Sequence, residues 1–196
     1  MRRRSGSSKT IVAPASPGSS DSGSSLAGYL MQALVPDDFD VPEGLSAEHF
    51  RLVVLDTDLA EVDYEAVMSS RERLRSIFAA STAWPGDDMT LQQDIADLEN
   101  HRREFDAREA FAYSLLSVDA KRCIGCLYIE PPRLDEYDCE VYLWLRDDTL
   151  DLDQRCFSDI SKWLSESWPF DAIAFPGRDI PWDQWPLKFS HPGLPD

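Results

Sequence analysis

The most regular pattern in the chain is a set of strand-like apolar runs in its second half. These runs, rich in aromatic and aliphatic side chains, lie at residues 111–118, 123–130 and 139–146. A hairpin-length turn at 119–122 separates the first two runs, and a longer polar loop at 131–138 precedes the third. Shorter runs at 50–54 and 170–175 predict one strand before this group and one after it.

Between the strands, apolar positions recur at helical spacing. One set, from Tyr64 to Phe78, predicts a helical segment after the first strand. Thr90 and Gln93 form a capping-box pattern that opens a second helix with one apolar face. Asp151 with Gln154 predicts the cap of a third. The predicted order is therefore strand, helix, helix, three strands, helix and strand.

The two ends of the chain differ in composition from its middle. Residues 1–25 are rich in Ser, Gly and Pro, which predicts a disordered basic tail. A short helix and a linker are expected at 26–47, a folded domain at 48–182, and a Trp- and Pro-rich tail packed on that domain at 183–196. The density of Trp, Pro and Arg from residue 176 onward is also typical of a binding surface, but packing is the favoured interpretation.

The first residues do not predict export. Three arginines follow Met1, but the apolar stretch of a signal peptide is missing, because the run at 10–13 stops at Pro14. An organelle transit peptide ranks behind a plain tail, so we expect a cytoplasmic protein. Cysteines in such a protein are expected to be reduced thiols.

Charge narrows the classes of partner. The 196-residue chain has a net charge of −17, and the first twenty residues carry +4, which leaves −21 for the remainder. A domain so acidic repels phosphate backbones and anionic membranes, so we expect neither nucleic acid nor membrane as a partner. A small amine or a basic protein is the electrostatically natural partner.

Four segments, in their order and spacing, resemble the GNAT superfamily of N-acetyltransferases. Residues 123–129, with their Ile-Gly pair, resemble that family's fourth strand, and residues 139–145 resemble its fifth. Residues 152–168 resemble the following helix and 171–175 the sixth strand. The resemblance covers about residues 48–178. It implies an α/β fold, with a mixed, mainly antiparallel sheet flanked by helices, and acyl transfer from acetyl-CoA or another acyl-CoA to an amine.

One stretch departs from the family's pattern. Between the fifth strand and its helix the family carries a Gly-rich turn, whose backbone N–H groups approach the cofactor's pyrophosphate. Here residues 146–154 contain no glycine and four aspartates, Asp147, Asp148, Asp151 and Asp153. These carboxylates suit a helix N-terminus but oppose a phosphate, so we expect weak or absent CoA binding. Any cofactor contact is expected at Trp144, Leu145 and Arg146.

The resemblance also suggests a reaction centre. It implies that acyl transfer occurs in a splayed gap between the fourth and fifth strands, beside Glu130, Glu140 and Tyr142. Either glutamate is a candidate general base, acting directly or through water. The alternative is a strand-end glutamate that simply faces solvent. Two functions therefore stay open, namely an acyl-CoA-dependent N-acyltransferase and a GNAT-like binding module that has lost the cofactor.

Two patterns resemble metal sites, but neither is expected to bind a metal. Cys123 and Cys126, with Cys139 and Cys156, suggest a four-thiolate zinc site. Residues three apart on a strand point to opposite faces, however, so buried inert thiols are expected instead. Asp94, Asp97, His101 and Glu104 lie along one side of the capped helix and are interpreted as a solvated face, with Glu104 paired to Arg108. No metal is expected.

Overall fold

A computed structural model of the protein describes residues 33–77 and 84–186. Its central sheet has six strands whose spatial order follows the chain. The strands are β1 (Gly44–Ser46), β2 (Arg51–Val54), β3 (Phe111–Leu116), β4 (Cys123–Glu130), β5 (Cys139–Leu145) and β6 (Ile173–Ala174). Neighbouring strands are antiparallel except β5 and β6, which run parallel. The expected mixed, mainly antiparallel sheet is confirmed.

Helices cover both faces of this sheet. They are α1 (Ala60–Ser69), α2 (Arg71–Ile77), α3 (Leu91–Asp106) and α4 (Asp153–Ser167), with short 3-10 turns at Thr57–Leu59, Asp147–Leu152 and Trp182–Gln184. The first three helices pack on one face, where Leu98 of α3 joins a core containing Trp144 of β5. Helix α4 packs on the other face, where its Ile160 joins a core containing Leu143. Alternate residues of β5 thus enter opposite cores.

The predicted N-terminal cap is present in α3 but not in α4. The capping box of Thr90 and Gln93 is present, with the Thr90 hydroxyl accepting from the Gln93 N–H and the Gln93 side chain accepting from the Thr90 N–H. The predicted cap at Asp151 is wrong. A 3-10 turn occupies that stretch, and α4 begins after Leu152, whose side chain makes no cap hydrogen bond.

The sheet begins earlier and ends sooner than the sequence predicts. Strand β1 lies inside the predicted linker at 26–47 and pairs with β2. The predicted strand at 170–175 shrinks to Ile173–Ala174, because the carboxylate of Asp138 accepts from the N–H groups of residues 171 and 172. The predicted tail at 1–25 and residues 187–196 lie outside the described residues. Within the described part of the chain, every helix is too short or too polar to cross a bilayer.

Candidate functional site

A cleft opens where β5 and β6 separate. The two strands pair only through Cys139 with Ile173 and Glu140 with Ala174, after which β5 continues to Leu145 without a strand partner on this side among the described residues. The space between them has a volume of about 230 Å³ and is lined by Arg73, Tyr142, Leu143, Trp144, Asp153, Pro176, Gly177, Arg178 and Trp182. Strands β4 and β5, by contrast, pair without a break from Gly125 with Leu145 to Glu130 with Glu140. The predicted gap between those two strands is therefore wrong, and the opening lies one strand further on.

Two arginines cap carbonyl groups of β5 beyond its pairing with β6. Arg178 donates to the Leu143 carbonyl at 3.2 Å and binds both carboxylate oxygens of Asp153, at 2.7 and 2.9 Å. Arg73, from α2, donates to the Leu145 carbonyl. Because these carbonyls already accept hydrogen bonds, a ligand lying along this edge of β5 would have to share them or displace the arginines.

Tyr142 brings a proton-carrying network to the cleft. Its hydroxyl donates to the Glu140 carboxylate and accepts from Arg133 Nη2 at 2.6 Å. Glu140 is 1% exposed and also accepts from the Arg133 backbone N–H at 2.5 Å, while its Oε2 lies 3.0 Å from Arg133 Nη2. Burial, and then the charge of Glu140, raise the pKa of Tyr142, so the phenol stays protonated at neutral pH.

The outer wall of the cleft is an aromatic side chain seated on a glycine. Trp182 stacks on Tyr142, with ring centroids 6.2 Å apart and planes within 4° of parallel. Gly177 lies under the Trp182 indole with φ of +78°. Further along the chain, Trp185 is buried, and its ring centroid lies 5.6 Å from that of Tyr137. The Trp-rich segment therefore packs on the sheet and also forms one side of the cleft.

The acidic turn after β5 is held by ion pairs. Arg73 Nε lies 2.5 Å from Asp147, and Asp148 is bonded to Arg122 and to Arg146. The hydrogen bond from Arg122 is the main cause of a lowered pKa at Asp148. With Asp153 held by Arg178, three of the four aspartates in the turn are neutralised by arginine. The repulsion of phosphate inferred from the sequence is correspondingly smaller.

The six residues singled out from the sequence separate into two groups. Tyr142 and Trp144 line the cleft, whereas the other four do not. Glu140 reaches the cleft through the Tyr142 hydroxyl. Glu130 faces Glu140 across the β4–β5 pair. The Leu145 side chain is buried in the α4-side core.

Arg146, unlike the other five, forms a two-point ion pair with a carboxylate on α1. Its guanidinium is buried and bonded to both oxygens of Glu65 on α1, one of them at 2.8 Å. This hydrogen bond is the main cause of a lowered pKa at Glu65. Arg146 therefore ties the end of β5 to α1.

A second polar cluster lies between α1 and the sheet. The pairing of β3 with β4 slips by one residue between Leu115 and Leu116, which makes a β-bulge at Ile124. The bulge returns Cys123 to the same face as Cys126, and both thiols contact Asp63 Oδ1, at 3.7 and 3.2 Å. The expectation that Cys123 and Cys126 point to opposite faces is wrong. Burial raises the pKa of Asp63 and of Cys126.

The acidic side of α3 is not a solvated face. Asp94 and Glu104 are each only 3% exposed, because α1 packs over this side of the helix. Burial raises the pKa of Asp94 to about 8. Glu104 lies 3.4 Å from His101 rather than pairing with Arg108, whose guanidinium donates to backbone carbonyls in the 36–39 segment. The predicted Glu104–Arg108 pair is therefore wrong.

Solved structures similar to this fold include acetyltransferases of the GNAT superfamily. The ribosomal-protein-S5-alanine acetyltransferase of Vibrio fischeri is 14% identical, with a TM-score of 0.52 over 64% of this chain and 67% of that chain. RimL, a ribosomal L7/L12 α-N-protein acetyltransferase in complex with coenzyme A, is 11% identical, with a TM-score of 0.51 over 64% and 71%. A third acetyltransferase, assigned only provisionally, is 16% identical, with a TM-score of 0.53 over 70% and 68%.

No protein-family model matches the chain, and no curated protein is detectably similar to it in sequence. At identities this low, the likeness to solved structures establishes the fold. The chain is therefore a GNAT-fold domain with a cleft at the divergence of its parallel strand pair.

Proposed function

We propose that the chain is an N-acyltransferase that transfers an acyl group from a CoA thioester to an amine in the cleft between β5 and β6. The observation that carries this proposal is Tyr142, which lines the cleft and whose hydroxyl is hydrogen-bonded to Glu140 and Arg133. A buried phenol with a raised pKa keeps its proton at neutral pH. The protonated phenol can donate a hydrogen bond to the sulfur of an acyl-CoA thioester and deliver its proton as the C–S bond breaks.

The proposed reaction transfers the acyl group directly from sulfur to nitrogen. The neutral amine attacks the thioester carbonyl, the N–C bond forms, and the C–S bond breaks. The departing sulfur takes the proton of Tyr142, and the proton released by nitrogen passes through water to Glu140. Glu140 then returns a proton to Tyr142 along their existing hydrogen bond. The products are an amide and free CoA, and both side chains recover their starting states.

Charge supports a cationic acceptor. The chain carries a net charge of −17, which attracts polyamines and basic proteins and raises their rate of encounter. Two of the similar structures are named for acetylating ribosomal proteins. A small amine or a basic protein is accordingly the proposed acceptor.

A second candidate is a GNAT-fold binding module without catalysis. The observation that favours it is the capping of the Leu143 and Leu145 carbonyls by Arg178 and Arg73, which occupies the edge of β5. The glycine-free turn at residues 146–154 acts in the same direction. For these two reasons we expect the affinity for CoA to be low, with a dissociation constant on the order of 0.1 mM or weaker.

The test combines calorimetry with a transfer assay. Acetyl-CoA and CoA are titrated into the full chain, and release of free thiol is then followed at saturating acetyl-CoA with spermine and a Lys-rich peptide as acceptors. We expect Tyr142→Phe to lower the transfer rate by roughly 10²–10⁴-fold with the acetyl-CoA affinity unchanged. Tyr113→Phe is the matched control, because that phenol is also buried but donates to the Pro42 carbonyl outside the cleft.

The outcomes separate the two candidates. Amine-dependent thiol release that falls in Tyr142→Phe and persists in Tyr113→Phe supports the acyltransferase. Absence of both binding and transfer at millimolar acetyl-CoA overturns it and leaves the binding module. Transfer that is equal in the two variants overturns the role of Tyr142.

A further inference from the structure

The cluster formed by Asp63, Cys123 and Cys126 lies away from the cleft and takes no part in the proposed reaction. Its three potential donor atoms, one carboxylate oxygen and two sulfurs, all lie within 4.8 Å of one another. All three side chains are buried. They come from two elements, α1 and β4, so the cluster exists only in the folded protein.

The distances suit a single small cation. Zn²⁺ binds thiolate sulfur at about 2.3 Å and carboxylate oxygen at about 2.0–2.2 Å, so neighbouring donors of a tetrahedral site lie roughly 3.5–3.8 Å apart. Here the oxygen lies 3.2 Å from the Cys126 sulfur and 3.7 Å from the Cys123 sulfur. The two sulfurs lie within 4.8 Å of each other. Adjustments of about 1 Å or less therefore bring all three donor atoms within range of one ion.

Asp63 is paired with neither Lys nor Arg among the described residues, and its hydrogen-bond partners are the two thiols. A second carboxylate, Asp94, is 3% exposed, and its Oδ2 atom has no hydrogen-bond partner in the described part of the chain. Buried carboxyl groups are normally paired, protonated or bound to a metal.

We propose that Asp63, Cys123 and Cys126 bind a thiophilic divalent cation of the Zn²⁺ class. Two sulfurs and one oxygen select Zn²⁺ or Co²⁺ over Mg²⁺ or Ca²⁺, which prefer oxygen ligands alone. Binding converts both thiols to thiolates and releases their protons. The fourth position is filled by water.

The β-bulge is what makes this site, and its geometry is specific. A side chain at position 125 is excluded, because a Cβ on Gly125 would lie 2.0 Å from the Trp144 carbonyl oxygen. The chain therefore turns through a residue without a side chain between the two cysteines. This arrangement gives a C-x-x-C pair on a strand the same-face geometry that it ordinarily has only in a turn.

The test uses Co²⁺ as a spectroscopic probe on the full chain. Reduced, chelator-treated protein is titrated with Co²⁺, and the thiolate-to-cobalt charge-transfer band in the near ultraviolet is followed. Zinc content after purification without chelator is measured by mass spectrometry in parallel. We expect about one Co²⁺ per chain with thiolate absorbance, displaced by Zn²⁺, and loss of that band in Cys126→Ser and in Asp63→Asn.

The control is Cys156→Ser, which removes a buried thiol on the opposite face of the sheet. It is expected to bind Co²⁺ like the wild type. Circular dichroism identifies any variant that fails to fold, and the wild-type titration decides the proposal even then. A wild type without a cobalt–thiolate band overturns the site. A band that is unchanged in folded Cys126→Ser overturns the assignment of its ligands.

Discussion

Gly177 is the position where a single methyl group should disturb the cleft wall. Its φ of +78° lies in the left-handed region, where a residue with a Cβ is less stable by about 1–2 kcal/mol. The Cβ of Gly177→Ala would also lie 2.6 Å from Trp182 Nε1 and 2.8 Å from Trp182 Cε2. These are ring atoms, so the whole indole must move, and its stacking on Tyr142, worth roughly 0.5–1.5 kcal/mol, is lost.

Together these effects predict that Gly177→Ala lowers the free energy of unfolding by about 2–3 kcal/mol. In a domain of this size each kcal/mol corresponds to roughly 2–4 °C, so we expect Tm to fall by about 4–12 °C. Thermal unfolding followed by far-ultraviolet circular dichroism measures this change. The near-ultraviolet spectrum should change as well, because Trp182 leaves its stacked position.

Gly86→Ala is the matched control for this prediction. A Cβ there meets the flexible carboxylate end of Asp88 at 3.2 Å, and Gly86 has no positive φ. We expect its Tm to be equal to that of the wild type or slightly higher, because the unfolded chain loses freedom. A Gly177→Ala protein within about 1 °C of the wild type would refute the reasoning.

Three further measurements test other parts of the structure. Thr90→Ala removes the cap of α3 and should lower the urea-derived free energy of unfolding by about 1 kcal/mol, and no change would contradict the cap. Trp168→Ala removes a ring that contacts Phe111 and Trp163 and should lower the free energy of unfolding by about 3–5 kcal/mol. A loss below about 1 kcal/mol would contradict this packing. Burial raises the pKa of Cys156 to about 11. The native state therefore keeps a proton that the unfolded chain releases near pH 9, so the free energy of unfolding falls as the pH rises from 9 to 11. Cys156→Ala should make that fall smaller when urea unfolding is measured at a series of pH values.

Local patterns predicted the elements that depend on local sequence. Strand β4 has the bounds expected from its apolar run, Cys123–Glu130, and the α3 cap follows from Thr90 and Gln93 alone. The cleft could not be placed in this way, because the strand that diverges from β5 is set by pairing between distant segments. Arg73 carried no signal, since its partners Leu145 and Asp147 lie far along the chain.

The cluster of Asp63, Cys123 and Cys126 could not be predicted from the sequence for a different reason. Alternation along a strand is a reliable rule until a bulge inserts one residue, and Ile124 is that residue. A Gly between two cysteines was the available signal, because glycine inside a strand often marks a bulge. The charged side of α3 was predicted to face solvent but is buried, since the spacing of polar residues cannot reveal that α1 packs over Asp94 and Glu104.

The agreement between strand order and chain order has a consequence for how the protein folds. Short connections join β1 to β2 and β3 to β4 to β5, and a crossover containing α4 joins β5 to β6. The longest connection is the segment from Leu55 to Ala110, which separates β2 from β3 and contains three helices among its described residues. Closing that long loop loses more chain entropy than closing a hairpin. The β3–β4–β5 meander should therefore form early, and the β1–β2 hairpin should dock late. Destabilising changes in the meander would slow folding, whereas those in β1 or β2 would mainly accelerate unfolding.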